Sequence, residues 1–187
     1  MNNAYLLAQT LNQNLERLTP ITIFGAGALL LDPAFSPRLS HRKTNDIDII
    51  IPSHLEIQNN FDSQFWKAVE KTNEQLREKH LYITHIFPES LIILTQDWRK
   101  HTVPLAIPEF DKLQIERPGI LDIIISKTCR ADRRDLEDIR IMLELNPIPA
   151  SVIEAAAKTA HVPEALQEIF PIALHKVLNL VHSMENQ

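Results

Sequence analysis

The chain has 187 residues, 44% of them hydrophobic, so it is long enough to bury a core in one domain or in a domain with a helical addition. Its 19 basic and 24 acidic residues give a net charge of −5, which excludes a globally basic nucleic-acid-binding protein. The single Cys129 excludes an internal disulfide and a cysteine-rich zinc site. With no secretory signal pattern and no long apolar run, we expect a cytoplasmic protein without a membrane span.

The first predicted element is an amphipathic helix over residues 3–18, where apolar residues recur at helical spacing. Asn2 or Asn3 can cap this helix. Pro20 ends the helix, and a strand begins at Ile21. These elements predict core packing and carry no chemistry of their own.

A turn of small residues, Gly25-Ala26-Gly27, follows the first strand and opens an apolar helix. The chain has only 3 glycines, and two of them lie in this turn. Glycine lets a backbone approach a phosphate closely, and the free N–H groups of a helix start attract anions. The turn therefore indicates a phosphate-binding loop, with a tight packing turn as the alternative.

A basic, proline-punctuated loop over residues 32–45 leads into a strand that begins with Asp46 and Asp48. Side chains two apart on a strand share a face, so both carboxylates point the same way. Adjacent carboxylates repel each other and need a cation or a proton between them. Mg²⁺ takes one or two protein carboxylates together with substrate phosphates. A solvated strand end is the alternative, because acid pairs are common in a chain with 24 acidic residues. The isoleucines expected to face the core are Ile47, Ile49 and Ile51.

The glycine turn and the strand together resemble the polymerase-β-type nucleotidyltransferase superfamily. Its members combine a Gly-Gly or Gly-Ser turn with an Arg-x-[Ser/Thr]-x-Asp-[Ile/Leu]-Asp strand, matched here by Arg42, Thr44, Asp46 and Asp48. Alanine stands at the usual second Gly or Ser of the turn, Gly25-Ala26-Gly27. The resemblance implies that the turn, Arg42 and Thr44 bind the nucleotide. It also implies that Asp46 and Asp48 are catalytic and hold Mg²⁺ or Mn²⁺.

The middle of the chain lacks a clear third carboxylate, which the superfamily carries on a strand after the acid pair. Asp97 and Glu89 are weak candidates for it. A helix is predicted here at residues 61–79, followed by strands at 81–86 and 91–95. The segment at 102–107 suits at best a sheet edge, and a last short strand is predicted at 113–116.

A helix predicted over residues 119–129 leads to Lys127 and then to an Arg-Asp-Leu-x-Asp-Ile run that contains Asp135. This order resembles the C-terminal signature of the DUF6036 and abortive-infection (AbiEii-like) nucleotidyltransferases. The resemblance implies that Lys127 contacts phosphates and that Asp135 completes the catalytic site as a metal ligand or base. Residues eight apart on one helix diverge, so both reach one site only if the helix breaks near Ala131-Asp132. The alternative is a purely structural helix start, with Asp132 as the N-cap.

Residues 147–187 predict helices with a wide apolar stripe, which covers the sheet or forms a homodimer contact. The stripe comprises Leu166, Ile169, Phe170, Ala173, Leu174, Val177, Leu178 and Val181.

We therefore expect an α/β (α+β) nucleotidyltransferase fold, with a small mixed sheet flanked by helices over residues 1–146 and a C-terminal helical extension over 147–187. The expected activity is metal-dependent transfer of a nucleoside monophosphate from an NTP to an acceptor hydroxyl. By resemblance the acceptor is a tRNA or other RNA end, a protein or a small molecule, and the chain is a toxin with an antitoxin partner. The alternative is a catalytically silent nucleotide-binding or interaction module.

Overall fold

The computed structural model describes residues 2–51 and 63–186. Within them the chain forms a five-stranded sheet and seven α-helices. The chain groups into two compact units, which are Met1–Glu89 with Thr102–Arg117, and Ser90–His101 with Pro118–Gln187. A mixed α/β architecture is therefore confirmed, whereas the division into a domain over 1–146 and an extension over 147–187 stays a prediction.

The first unit contains the whole sheet and three helices. Its elements are α1 (Asn3–Asn14), β1 (Thr19–Phe24), α2 (Gly25–Leu31), β2 (Asp46–Ile51), α3 (Ser63–Leu76), β3 (Tyr82–Pro88), β4 (Val103–Leu105) and β5 (Leu113–Arg117). The strand order is β3-β2-β1-β5-β4. β1 is antiparallel to β2 and parallel to β5, β2 is parallel to β3, and β4 is antiparallel to β5. The short β4, which carries Pro104, lies at the edge of the sheet as predicted, because proline cannot donate to a second neighbour.

Helix α1 packs against α2, α3, β2 and β5, and its Leu7 and Leu11 are completely buried. Asn2 is its N-cap, accepting a hydrogen bond from the backbone N–H of Tyr5 at 2.8 Å. The predicted end at residue 18 is wrong, because the backbone becomes extended at Leu15. Strand β1 then starts at Thr19, two residues earlier than predicted, since it already pairs with β5 there.

Two predictions in the middle of the chain need correction. The helix predicted over 61–79 is α3 followed by a 3-10 turn, Arg77–Lys79, while its first two predicted residues lie outside the described ranges. The strand predicted over 91–95 is wrong, because Leu94 makes only an isolated bridge with His161. Ile92, Ile93 and Leu94 of this run are nevertheless buried, whereas Leu91 is exposed, and a short apolar run of this kind has no periodicity that identifies a strand.

The second unit is helical, with α4 (Ile120–Lys127), α5 (Arg133–Leu145), α6 (Ala150–Thr159) and α7 (Phe170–Glu185). Part of the predicted apolar stripe of α7 is buried, and α7 packs against α5 and α6. The buried members of the stripe are Phe170, Ala173, Val177 and Val181. Among the helices that the structure describes, none combines the length and the apolar character needed to cross a bilayer.

Candidate metal centre

Strand β2 presents Asp46 and Asp48 on one face, as the alternation predicts. Their side chains are 38% and 27% exposed, whereas Ile47 and Ile49 are completely buried on the other face. The prediction fails at the end of the strand, where Ile50 is buried and Ile51 only half-buried. The acidic start of β2 is therefore open to solvent on one face only, while nearer its end Ile50 is buried on the face that carries the acids.

His85, which no sequence pattern singled out, lies on the neighbouring strand β3. Asp48 pairs with His85 and Asp46 with Tyr82, so the register shifts by one residue between these pairs. The shift places two consecutive exposed side chains, Thr84 and His85, on β3. His85 Nδ1 then lies 3.3 Å from Asp46 Oδ2 and 3.2 Å from Asp48 Oδ1. The only signal in the sequence was a polar residue inside a predicted strand that follows the acid pair.

The backbone of β3 at this shift is held by Asn73 of α3. The side-chain oxygen of Asn73 accepts a hydrogen bond from Ile83 N at 2.7 Å, and its amide nitrogen donates to Ile83 O at 3.0 Å. The His85 ring stacks on Phe87, with centroids 5.5 Å apart and planes 8° apart, and Phe87 meets Phe24 edge-on. The imidazole is thus supported from the backbone and from one ring face.

Thr44 orients the first carboxylate. Its hydroxyl donates to Asp46 Oδ1 at 2.8 Å, and Asn3 of α1 donates to the Thr44 carbonyl at 2.9 Å. Arg42 is half-buried two residues earlier, where its backbone N–H donates to Leu39 O at 2.8 Å. Thr44 thus connects the end of the predicted loop to the start of the strand through its hydrogen bond to the Asp46 carboxylate.

The glycine turn lies directly against the second carboxylate. Gly25 has φ +67°, and a Cβ at this position would lie 2.8 Å from Asp48 Oδ2. A Cβ at Gly27 would lie 3.2 Å from Ile47 Cγ2, and Ala26 between them is half-buried. Both the left-handed backbone and the close approach to Asp48 require glycine at position 25. The turn and the acid pair, recognised separately in the sequence, are thus parts of one structure.

The three side chains form a donor set that fits a divalent cation. One ligand atom from each of Asp46, Asp48 and His85 lies within 4.8 Å of the others. Carboxylate oxygen and imidazole nitrogen are both ordinary metal donors, and the half-exposed carboxylates leave room for water or substrate oxygens. Among the described residues this is the one such group, so no third carboxylate joins it. Asp97 instead pairs with Lys100 at 2.9 Å, and that hydrogen bond, together with the charge of Lys100, lowers its pKa.

Lys127 and Asp135 come together in the second unit, because the helix breaks near Ala131-Asp132, which is the condition under which the two can meet. Ala131 has φ +43°, and Asp132 caps α5 by accepting from the N–H groups of Arg134 and Asp135. Lys127 Nζ lies 3.0 Å from Asp135 Oδ1. The predicted break and the predicted N-cap are both confirmed, so the two interpretations of this region are compatible.

The Lys127–Asp135 pair belongs to a larger buried cluster. Lys127 Nζ also lies 2.7 Å from Asp138 Oδ2, and Arg130 binds both carboxylate oxygens of Asp135 at 2.9 Å. Burial alone would raise the pKa of Asp135, but the hydrogen bond from Arg130 and the charge and hydrogen bond of Lys127 outweigh it, so that its pKa is lowered. Two cationic side chains thus face two carboxylates. Lys127, Asp135 and Asp138 are buried, whereas the Arg130 side chain is exposed.

Comparison with protein-family models matches residues 3–164 to DUF6036, described as a nucleotidyltransferase of unknown function. No curated protein matches the chain significantly. No solved structure does so either.

Proposed function

The chain belongs to the DUF6036 family of nucleotidyltransferases, and from that premise we propose that it moves a nucleoside monophosphate from an NTP to an acceptor hydroxyl. The observation that carries this proposal is that Asp46 and Asp48 lie around one imidazole and that Asp48 is next to the left-handed Gly25. Such a site combines cation ligands with a backbone that a phosphate can approach closely. Its chemistry is therefore that of phosphoryl groups, in agreement with the family.

In the proposed reaction the acceptor oxygen forms a bond to the α-phosphorus while the bond to the bridging oxygen of pyrophosphate breaks. The acceptor hydroxyl gives up its proton to solvent water, and pyrophosphate takes the electron pair of the broken bond. Asp46 and Asp48 would hold Mg²⁺ or Mn²⁺, which stabilises the charge on the reacting oxygens. Thr44 keeps Asp46 oriented, and the turn at Gly25-Ala26-Gly27 accommodates the triphosphate.

Arg42 is proposed to balance the negative charge of the triphosphate, since it lies two residues before Thr44 and carries a permanent charge. Lys127 and Asp135 are proposed as site residues on the resemblance alone. Their buried ion pair supports a joint role, because removing either partner would leave the other charge buried. A role in transfer and a role in holding the helix break predict different properties of a Lys127 variant, so an experiment can separate them.

The test is to incubate the purified protein with each α-³²P-labelled NTP, Mg²⁺ or Mn²⁺, and bacterial RNA with cell lysate. We expect label on RNA, on a protein band or on a small molecule, and its loss in Asp46→Asn and Asp48→Asn. Glu154→Gln is the matched control, since it removes an exposed carboxylate that pairs with Lys158 on α6. Transfer that persists in both aspartate variants would refute the proposal.

A catalytically silent nucleotide-binding module is the second candidate. Two observations favour it: Ala26 stands at the usual second Gly or Ser, and His85 rather than an acid joins the aspartates. Equilibrium binding of a nucleotide, with no transfer to any acceptor and any metal, is the result that this candidate predicts. The absence of both binding and transfer would contradict both candidates.

We further propose, on the resemblance to abortive-infection nucleotidyltransferases, that the chain acts as a toxin with an antitoxin partner and a tRNA or a protein as acceptor. Induced expression in a bacterial host is the test. Growth arrest by the wild type and normal growth with Asp46→Asn would support the proposal. Equal toxicity of the two proteins would contradict it, because the effect would then be independent of the acid pair.

A homodimer through the C-terminal helices also remains a proposal. Ile169 and Ile172, at the start of α7, are 48% and 67% exposed, which supports an apolar contact there. Light scattering of the wild type and of Ile172→Glu tests it. We expect a dimer that the substitution converts to a monomer, whereas a monomeric wild type would refute the proposal.

A further inference from the structure

We propose that His85 is a metal ligand and that it makes this site select Mn²⁺ or a later first-row divalent ion over Mg²⁺. His85 lies on the strand after the acid pair, where the superfamily carries its third carboxylate. The inference deepens the proposed function and rests on its assignment of Asp46 and Asp48 as ligands. It adds the third ligand and the class of cation.

The distances match three ligands of one ion. Two donor atoms that bind one ion at about 2.1 Å and at right angles are about 3 Å apart. His85 Nδ1 lies 3.3 Å from an oxygen of Asp46 and 3.2 Å from an oxygen of Asp48. The imidazole can donate its Nδ1 lone pair when the ring proton is on Nε2. The nitrogen that faces the carboxylates is therefore able to complete their donor set.

Contacts with neighbouring residues position His85, although its side chain is 49% exposed. The register shift between β2 and β3 turns it onto the face of Asp46 and Asp48, and Asn73 holds the shifted backbone at Ile83. The Phe87 ring stacks on one side of the imidazole. These contacts hold the plane of the ring, whose Nδ1 points at the acid pair.

The change from oxygen to nitrogen alters which ion binds best. Mg²⁺ prefers oxygen ligands and octahedral geometry, and it gives up its water reluctantly. Imidazole nitrogen favours transition metals, whose affinities for mixed nitrogen and oxygen sites rise from Mn²⁺ towards Cu²⁺. Two carboxylates with one imidazole therefore retain affinity for hard ions but shift the preference away from Mg²⁺.

The competing explanation is that a protonated His85 replaces the ion. An imidazolium would donate from Nδ1 to the carboxylates at the same distances and would balance part of their charge. This alternative predicts no metal-bound nitrogen. The two explanations therefore differ in a property that can be measured without any substrate.

The experiment titrates the full-length protein with Mn²⁺ and with Mg²⁺ by calorimetry and records electron spin-echo spectra of the Mn²⁺ complex. We expect ¹⁴N coupling from an imidazole ligand in the wild type and none in His85→Asp or His85→Ala. His85→Ala should weaken Mn²⁺ binding by about 10- to 100-fold, the range that even loss of an outer partner of a metal ligand produces.

His85→Asp is the decisive variant, because it restores a three-carboxylate set. We expect the ratio of Mn²⁺ to Mg²⁺ affinity to fall by roughly tenfold or more in this variant. The matched control is His175→Asp, which adds the same charge at an exposed position on α7. Circular dichroism verifies that each variant is folded, and if His85→Ala does not fold, His85→Asp alone carries the test.

Mn²⁺ binding without ¹⁴N coupling, an unchanged ion preference in His85→Asp, or no binding of either ion would each overturn the inference. These outcomes are distinct from failure of the proposed function. Nitrogen-ligated Mn²⁺ without nucleotidyl transfer would support the inference and leave the silent module as the function. Transfer by His85→Ala with the same dependence on Mn²⁺ concentration as the wild type would support the function and refute the ligand.

Discussion

The side-chain amide of Asn73 makes both hydrogen bonds to the backbone of Ile83, accepting from its N–H at 2.7 Å and donating to its carbonyl at 3.0 Å. Ile83 lies between the β3 residues that pair with Asp46 and Asp48, at the point where the register shifts. A helix side chain thus supplies the partners that the irregular strand lacks. The side-chain direction of His85 depends on this shift, because one residue of register reverses the face of a strand.

We expect Asn73→Ala to lower both stability and metal affinity. The loss of two hydrogen bonds to a largely buried backbone unit should cost about 1–3 kcal/mol in the free energy of unfolding. Urea unfolding measures this loss, and calorimetry with Mn²⁺ measures the affinity. Asn14→Ala is the control, because Asn14 also bonds to α3, through Thr72 and Gln75, and neither partner is on a strand. Equal Mn²⁺ affinity in Asn73→Ala and the wild type would show that His85 keeps its position without this support.

Substitutions of Thr44 should lower the metal affinity only if they remove the hydroxyl. Thr44→Val has the same shape but cannot donate to Asp46 Oδ1, so we expect Mn²⁺ affinity to fall by about 10- to 100-fold. Thr44→Ser keeps the hydroxyl and should stay close to the wild type. If valine and serine give the same affinity, the hydrogen bond has no part in orienting Asp46.

Gly25→Ala should damage the site through Asp48. The left-handed backbone at position 25 costs a residue with a Cβ roughly 1–2 kcal/mol, and that Cβ would overlap Asp48 Oδ2. We therefore expect lower stability together with a loss of Mn²⁺ binding, as seen by chemical unfolding and calorimetry. Gly27→Ala is the comparison, since its Cβ meets Ile47 at 3.2 Å, so its cost should be smaller and confined to packing. A Gly25→Ala protein that binds Mn²⁺ normally would contradict the proximity of the turn to the acid pair.

Lys127→Met separates a structural role of the buried cluster from a role in transfer. The substitution leaves Asp135 and Asp138 without the ammonium between them, and loss of one partner of a buried ion pair costs about 3–5 kcal/mol. We expect a loss of that size in urea unfolding. Lys158→Met removes an exposed helix pair with Glu154 and should cost less than about 1 kcal/mol. Wild-type stability with loss of NTP binding would instead place Lys127 at the phosphates.

The lowered pKa of Asp135 predicts a specific acid sensitivity. Because the folded protein holds this pKa below the ordinary value of 3.8, the resulting stabilisation is complete above pH 3.8 and is lost as the pH falls through the lower, folded value. Urea midpoints between pH 7 and pH 2.5 should therefore fall less steeply in Asp135→Asn than in the wild type below pH 3.8. Parallel curves for the two proteins would mean that Asp135 does not titrate differently on folding.

Local chemistry in the sequence determined much of the site. The alternation of acids with isoleucines placed Asp46 and Asp48 on one face, since neighbouring side chains on a strand point in opposite directions. The capping chemistry of Asp132 indicated a new helix start. Because residues eight apart on one helix diverge, Lys127 and Asp135 could meet only through a break near Ala131. Each of these conclusions depends on a few neighbouring residues, and for that reason none needed the rest of the fold.

Only the tertiary structure brought His85 to the acid pair and the turn at Gly25 to Asp48. The position of His85 depends on parallel pairing between β2 and β3 and on a register shift that Asn73 supports from a separate helix. The structure of the run at 91–95 was likewise decided by tertiary contacts. Its composition suits a strand, but Leu94 makes only an isolated β-bridge. Strand register and burial arise from contacts between distant segments, and a pattern of apolar and polar residues within one segment does not contain them.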